Sequence, residues 1–474
     1  MAFAHDPDAR STPPTRAVVL GASLAGLLAA RVLSEHFDET VLLERDELPR
    51  DSAARKGTPH AVHPHGLLAR GRLVLETLLP GFTQAMCDRG ALLGDLTADI
   101  AFDAGGRRFA ACRAGLPALA ASRLAIEAEV RSRVLARPGV RALTGVQVLA
   151  PAHENGRVTA ARWRGPGSSG EQALAADLVV DCTGRGSQLP RWLAEWGCPA
   201  PVEERVEIGI CYASAYFRRD GACALGPKLA KVAAFGAVTN AQPRPGVVIA
   251  QEPDAHGTPR WVVGVGGFRG DHPGATLDAL REHARAIGSP ELLQIVGEGE
   301  PVGAVMRYQM PHSQRRRYER LAGMPRGLLV MGDAIASFNP IYGQGMTVAA
   351  CEALALQQQL ARGMAGLERR FLRAAARVID VPWQLAVGGD LAIYAVPGRR
   401  PLPVRIVNAY LARLFRVAPH DPVVSLAFQR VVHMLDQPAA LFAPGILRRV
   451  LWSPSAAPAG GDAARAAVAV RRGA

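Results

Sequence analysis

Lysine is almost missing from this chain. Only Lys56, Lys228 and Lys231 occur among 55 basic residues, so the net charge of +13 is nearly all arginine. The arginines are scattered, apart from short clusters such as Arg315, Arg316 and Arg317. No zinc finger and no basic stripe with interleaved aromatics accompanies them, so nucleic acid is not an expected partner. The surplus reads first as a solvated surface, and second as a field that attracts an acidic or carrier-bound substrate. Paired cysteines are missing as well. Cys87, Cys112, Cys182, Cys198, Cys211, Cys223 and Cys351 are odd in number, widely spaced and without a CxxC. That excludes a disulfide framework and a structural zinc site. No apolar run reaches the roughly 18 to 20 residues of a spanning helix. The first 16 residues carry acids and prolines where a signal peptide would have an apolar core. A cytoplasmic chain with no transmembrane segment is expected, and attachment to a membrane surface stays open.

With 474 residues, 49% of them hydrophobic, the chain has enough material for two or three domains. Residues 16–46 read RAVVLGASLAGLLAARVLSEHFDETVLLERD. An apolar strand (17–20), a tight turn, a helix of small and aliphatic residues and a second strand (40–43) ending at Glu44 follow in order. This is the βαβ dinucleotide pattern G-x-G-x-x-G with one departure, since the three positions are Gly21, Ser23 and Gly26. Gly21 suits the sharp turn, Gly26 suits close packing of helix on strand, and Ser23 stands where backbone approaches a pyrophosphate. The helix start offers free N–H groups to phosphates. Glu44 suits ribose hydroxyls and repels a 2′-phosphate, which Arg45 beside it partly offsets. No second copy exists: Gly264-Val265-Gly266-Gly267 reads as strand with no helix after it. The expected cofactor is a tightly held FAD. NADPH or NADH would visit transiently as electron donor, or a partner flavin reductase would deliver electrons.

Two later segments have the same strand-then-acid form. ADLVVDCTGRGS (176–187) ends a buried strand at Asp181, and GLLVMGDAIASFNPIYGQGM (327–346) ends one at Gly332-Asp333. In this order the three segments resemble the group A flavoprotein monooxygenases related to para-hydroxybenzoate hydroxylase, over most of residues 15–365. RKGTPHAVHPHGLLARGRLVLETLLPGF (55–82), DLVVDCTGRGSQLPRWLAEWG and FNPIYGQGM are closest in motif to bacterial epoxidases of polyene precursors of polyether antibiotics. The resemblance implies an α/β fold. A Rossmann-like FAD-binding domain with a parallel sheet (15–90, 120–204 and 306–365) interleaves with a β-rich substrate domain (91–119 and 205–305). A C-terminal helical region (366–452) follows, with breaks expected at Pro382, Pro397, Pro401 and Pro403. The termini (1–14 and 453–474) are expected to be flexible.

The resemblance also assigns roles. Asp333 takes a hydroxyl of the FAD ribitol or ribose region. Pro340, Gly343, Gln344, Gly345 and the helix opening at Met346 face the flavin ring. Arg123 lies beside the phosphates and flavin, the backbone of Val148 meets adenine, and His65 with Gly66 lies at the flavin edge. His60, His63 and His65 leave flavin contact, a polar loop and, with no carboxylate or cysteine beside them, least of all metal as open readings. Tyr212, Tyr216 and Phe217 are open between substrate wall and strand core.

The activity implied is an FAD-dependent monooxygenase of secondary metabolism. A flavin C4a-hydroperoxide, formed with molecular oxygen, would epoxidise or hydroxylate a hydrophobic small molecule. The flavin carries the chemistry and no catalytic side chain is assigned. A reductase or desaturase of a prenyl or polyene chain remains the alternative. A flavin halogenase is weaker, since its Trp-x-Trp-x-Ile-Pro motif is absent.

Overall fold

The computed structural model describes residues 15–453 apart from 105, 168–169, 220–229, 234–242 and 394. The lead-in 1–14, the tail from 454, Cys223, Lys228 and much of the segment KVAAFGAV lie outside the described residues.

The first half contributes β1 (Arg16–Leu20), α1 (Leu24–Leu33), β2 (Glu39–Leu43), α2 (Ala69–Leu78), α3 (Arg123–Leu135), β3 (Val140–Leu143) and β4 (Leu178–Asp181). The second contributes β5 (Ile210–Arg218), β6 (Gly246–Gln251), β7 (Arg260–Phe268), β8 (Pro301–Met310) and β9 (Leu328–Val330). Helices α4 (Gly345–Leu360), α5 (Leu367–Ala392), α6 (Leu402–Val417), α7 (Pro422–Val432) and α8 (Pro444–Trp452) complete it.

Five strands pair in the order β9-β4-β1-β2-β3, all parallel. Val19 lies between Val180 and Leu42 in register. Both faces of such a sheet are covered, which is why its strands are continuous apolar runs rather than alternating ones. Helix α1 is buried on nearly every side, with Leu27, Leu28, Val32 and Leu33 at 0% exposure. Each of those side chains stabilises the fold by roughly 1.5–3 kcal/mol.

A second sheet has seven strands. β8, β5, β7 and β6 run antiparallel, and Ala230–Ala233, Ile100–Ala104 and Arg107–Arg108 extend them. Strand alternation sorts β5: Ala213, Ala215 and Phe217 face one way into a core with Leu280, Ala284, Leu292 and Ile295. Those four belong to the helices Leu277–Ile287 and Pro290–Glu298. Neither helix was expected, because residues 205–305 read as β-rich. Residues 205–219, inside the expected β-rich domain, also split between two sheets. Glu203–Val206 joins a three-stranded sheet with Ser313–Arg316, and only the second part enters the seven-stranded one.

The C-terminal region is helical, with one correction. Pro382 does not break the chain; it lies buried inside the 26-residue α5. Phe371, Ala375, Ile379, Trp383 and Ala386 of that helix are buried in the main core. That burial outweighs the hydrogen bond a proline cannot donate. Pro401 and Pro403 do mark a boundary, at the start of α6, where proline fits. Helices α6, α7 and α8 pack around Phe102 and Phe109 at the edge of the seven-stranded sheet.

Candidate functional site

Gly21 ends β1 at φ +95°, and a Cβ there would sit 2.7 Å from the carbonyl oxygen of Cys182. The first glycine is therefore required by the neighbouring turn after β4 as well as by its own. A Cβ on Gly26 would meet the Gly21 carbonyl at 1.9 Å. Ser23 precedes α1, but its hydroxyl does not cap the helix. It donates to Glu127 Oε2 (2.9 Å) and accepts from Arg123 Nη2 (2.9 Å). The first-turn N–H groups of α1 are thus left without a side-chain cap.

Glu44 is buried at the end of β2 and accepts from the N–H groups of Ala22 (2.7 Å) and Asp46 (3.1 Å). Arg55 reaches across from the next loop to Glu44 (3.2 Å), Asp46 (3.4 Å) and Glu127 (2.8 Å). Burial pushes the Glu127 carboxyl up, but Arg123 and Arg55 outweigh it and hold it below the usual range. Arg45 is exposed and donates to the Gly57 carbonyl (3.4 Å). Val148 pairs with Trp163 just past Val146, whose N–H donates to the Glu44 carbonyl (3.0 Å). The structure thus gathers Gly21, Ser23, Gly26, Glu44 and Arg123 at one sheet edge. Val148 lies beside them, and Arg45 points outward.

The two later acids separate. Asp181 is fully buried and serves its own turn, accepting from the Thr183 N–H and hydroxyl and from Ser187. Asp333 is reached by solvent yet crowded by protein, as on the wall of a deep cleft. That crowding raises its pKa, against the pull of Arg123 and Arg185. Behind it, buried Glu352 of α4 accepts from the Gly332 N–H (2.7 Å). Burial, with Asp333 as a lesser cause, pushes Glu352 up to about 8.

Pro340 opens a short 3-10 turn, Gly343 closes it against the backbone of Gly66, and α4 begins at Gly345 with no side-chain cap. Asn339, fully buried, donates to Asp390 of α5 (2.7 Å), and Tyr342 donates to the same oxygen (3.1 Å). Burial lifts Asp390 to about 7. His65 Nδ1 lies 2.9 Å from the His63 carbonyl and must donate to it, which leaves Nε2 as an acceptor. The three imidazoles take separate places. His63 meets Ser214 (2.8 Å) and the edge of Tyr212, while His60 lies between His65 and Tyr308. Burial holds His60 near 3 and His63 near 4, and keeps His65 well below the usual range, so all three are neutral at physiological pH.

Next to this loop is a cavity of about 440 Å³, with Pro340, Gly343, Gln344 and His65 on one wall. Tyr212, Val247, Ile249 and Gly264 of the seven-stranded sheet form another, and Leu385, Leu411, Phe415 and Phe442 of the C-terminal region close it. Of the three aromatics left open by the sequence, Tyr212 faces the cavity. Tyr216 donates to the Val62 carbonyl (2.7 Å), and Phe217 is core. His433, also on the cavity wall, accepts from the N–H groups of Ala69 through Nδ1 and of Arg70 through its carbonyl, both 3.2 Å, so it caps α2 from the far end of the chain.

No protein-family model matches the chain. Protein Rv3254 of Mycobacterium tuberculosis is 35% identical over 441 residues, covering 90% of each chain. The chain belongs to the family of that protein. Its fold is shared with solved flavoproteins. The flavin-dependent brominase Bmp2 aligns with a TM-score of 0.63 at 16% identity, covering 92% of this chain and 98% of its own. A flavoprotein/dehydrogenase from Cytophaga hutchinsonii aligns at 0.63 and 17%, covering 91% and 96%. PqsL, a probable FAD-dependent monooxygenase from Pseudomonas aeruginosa, aligns at 0.59 and 17%, covering 80% and 96%. The α/β architecture expected from the motifs is therefore the fold these flavoproteins share.

The residues present fit FAD. Two uncapped helix starts, α1 and α4, offer N–H groups on helices that pack together. Gln344 Oε1 and Arg185 Nη2 are buried with no protein partner. Sequence reasoning missed Arg55, Glu127, Arg185, Glu352 and Asp390. Arg55, Arg185, Glu352 and Asp390 act through partners far along the chain, and Glu127, though four residues from Arg123 and Arg131, also meets Ser23 and Arg55 far away, so local spacing alone does not mark them. Arg55 and Arg185 lie inside quoted motifs, which was the one available signal.

Proposed function

We propose that the chain is an FAD-dependent monooxygenase that epoxidises or hydroxylates a hydrophobic small molecule. One observation carries this reading. The loop 340–345 leads into an uncapped helix start at Gly345 and lines a largely apolar cavity with Pro340, Gly343 and Gln344. When bound, FAD would supply dioxygen activation, the chemistry that no side chain here provides. The α1 N–H groups, with Arg55 and Arg123, would hold the phosphates. Asp333 would take a hydroxyl, and the α4 N–H groups would stabilise negative charge on the ring. Neutral His60, His63 and His65 add no charge that would draw water in, and the apolar walls orient an oily substrate.

In the overall reaction one oxygen atom enters the substrate and the other leaves as water. NADPH, NADH or a partner flavin reductase supplies the two electrons. The experiment is mass spectrometry of products formed under heavy oxygen gas, with bromide present in a parallel arm. One labelled oxygen atom per product supports the reading. A brominated product moves it to the halogenase that the Bmp2 fold also serves, and an unlabelled, hydrogenated or desaturated product moves it to the reductase and desaturase class.

A further inference from the structure

We propose that the outer face of the C-terminal helices docks on an anionic phospholipid surface, and that the cavity takes its substrate from that surface. The second clause rests on the functional reading above; the first does not.

Among the described residues, seven of the eleven exposed large hydrophobic side chains lie between 402 and 452, so the apolar exposure is concentrated rather than scattered. Trp452 is 74% exposed, Leu402 64% and Ile406 59%. They are contiguous. Leu402, Ile406, Ala409 and Arg413 share one face of α6 by their three- and four-residue spacing. Arg413 donates to the carbonyls of Val450 and Leu451, both at 2.7 Å, which brings that face up to Leu451 and Trp452. Tyr410 stacks on Phe442 at 4.8 Å beside it. The patch reaches the cavity, because Val407 and Phe442 are each 39% exposed and also line its wall.

Charge selects the partner. Residues 397–453 hold eight arginines, two aspartates and neither lysine nor glutamate, a net +6 out of +13 for the whole chain. Both aspartates are already paired, Asp421 with Arg449 and Asp436 with Arg430. A second copy of this chain would bring like charge against like. An anionic bilayer instead matches the arginines, accepts the aliphatic side chains and suits an indole at headgroup depth. No described helix is long and apolar enough to cross a membrane, so the geometry is that of lying on the surface.

The test is sedimentation of the FAD-saturated full chain with vesicles of phosphatidylcholine, with and without phosphatidylglycerol. Binding is expected to the anionic vesicles and to weaken with salt. Each basic residue near such a surface raises partitioning roughly fivefold, so Arg405→Gln with Arg448→Gln should lower it about 25-fold. Leu451→Ser with Trp452→Ser should lower it as well. Flavin absorbance should be unchanged in both variants. Yellow protein that stays in the supernatant overturns the docking surface, and so does binding that ignores both variants. A dimer broken by Ile406→Glu, or binding to an acidic carrier protein in place of vesicles, overturns it too. Colourless protein that still sediments overturns the flavin reading and leaves the surface standing.

Discussion

Asp333 has two guanidiniums near its carboxyl and a crowded cleft around it. Crowding by the surrounding protein favours the neutral acid, while Arg123 and Arg185 favour the anion. Either form can bond a ligand hydroxyl, so the side chain's presence matters more than its charge. Asp333→Ala is expected to weaken FAD binding tenfold or more, from roughly 1.5–3 kcal/mol of lost hydrogen bonding. Asp333→Asn should lose less. Fluorescence titration of apoprotein with FAD measures both, and unchanged affinity in the alanine variant would remove Asp333 from the site. The place of Asp333 just past a buried strand was legible in the sequence, because it follows an apolar run and a glycine. Asp181 has the same local signature but turns inward to Thr183 and Ser187. The strand-then-acid pattern locates a sheet edge, not the direction in which a side chain points.

At the scale of elements, legibility followed burial. Strands β1, β2, β4 and β9 are covered on both faces; the apolar runs of the first three were readable to within a residue, whereas β9 stops at Val330, short of the expected end at Gly332-Asp333. The helices Leu277–Ile287 and Pro290–Glu298 were hidden inside a β-rich stretch. Their signals were nonetheless there, in the capping residues Thr276 and Ser289 and in Pro290 at a first turn. Pro382 erred the other way, as a breaker that the core overrides. Proline in a helix interior costs roughly 3 kcal/mol relative to alanine. Pro382→Ala should therefore raise stability by roughly 1–3 kcal/mol, less any loss from the methylenes removed. Thermal unfolding checks this, and a lowered melting temperature would mean that the ring's packing outweighs the restored hydrogen bond.

At the scale of the whole molecule, Glu352 and Asp390 join distant segments through buried carboxyls. Their pKa values rise from 4.5 to about 8 and from 3.8 to about 7. The folded state therefore keeps protons that the unfolded chain releases. The stability from each group is fully present below its unfolded pKa and is lost as pH rises through the folded value. Between about pH 5 and 7 each should cost about 1.4 kcal/mol per pH unit. Glu352→Gln combined with Asp390→Asn should flatten that slope in urea unfolding, and an equally steep slope in the double variant would rule these carboxyls out as its cause. Such links were invisible in the sequence. Nothing near residue 390 announces that Asn339 and Tyr342 meet it.

The cap that His433 places on α2 has a consequence for how the chain is made. Translation runs from the first residue, and α2 follows directly on the His65–Gly66 loop. On the ribosome that helix start lacks this cap until residue 433 has been made. A nascent chain can therefore pair β1, β2 and β3 first, but this edge of the cleft is completed only once the segment carrying His433 is present.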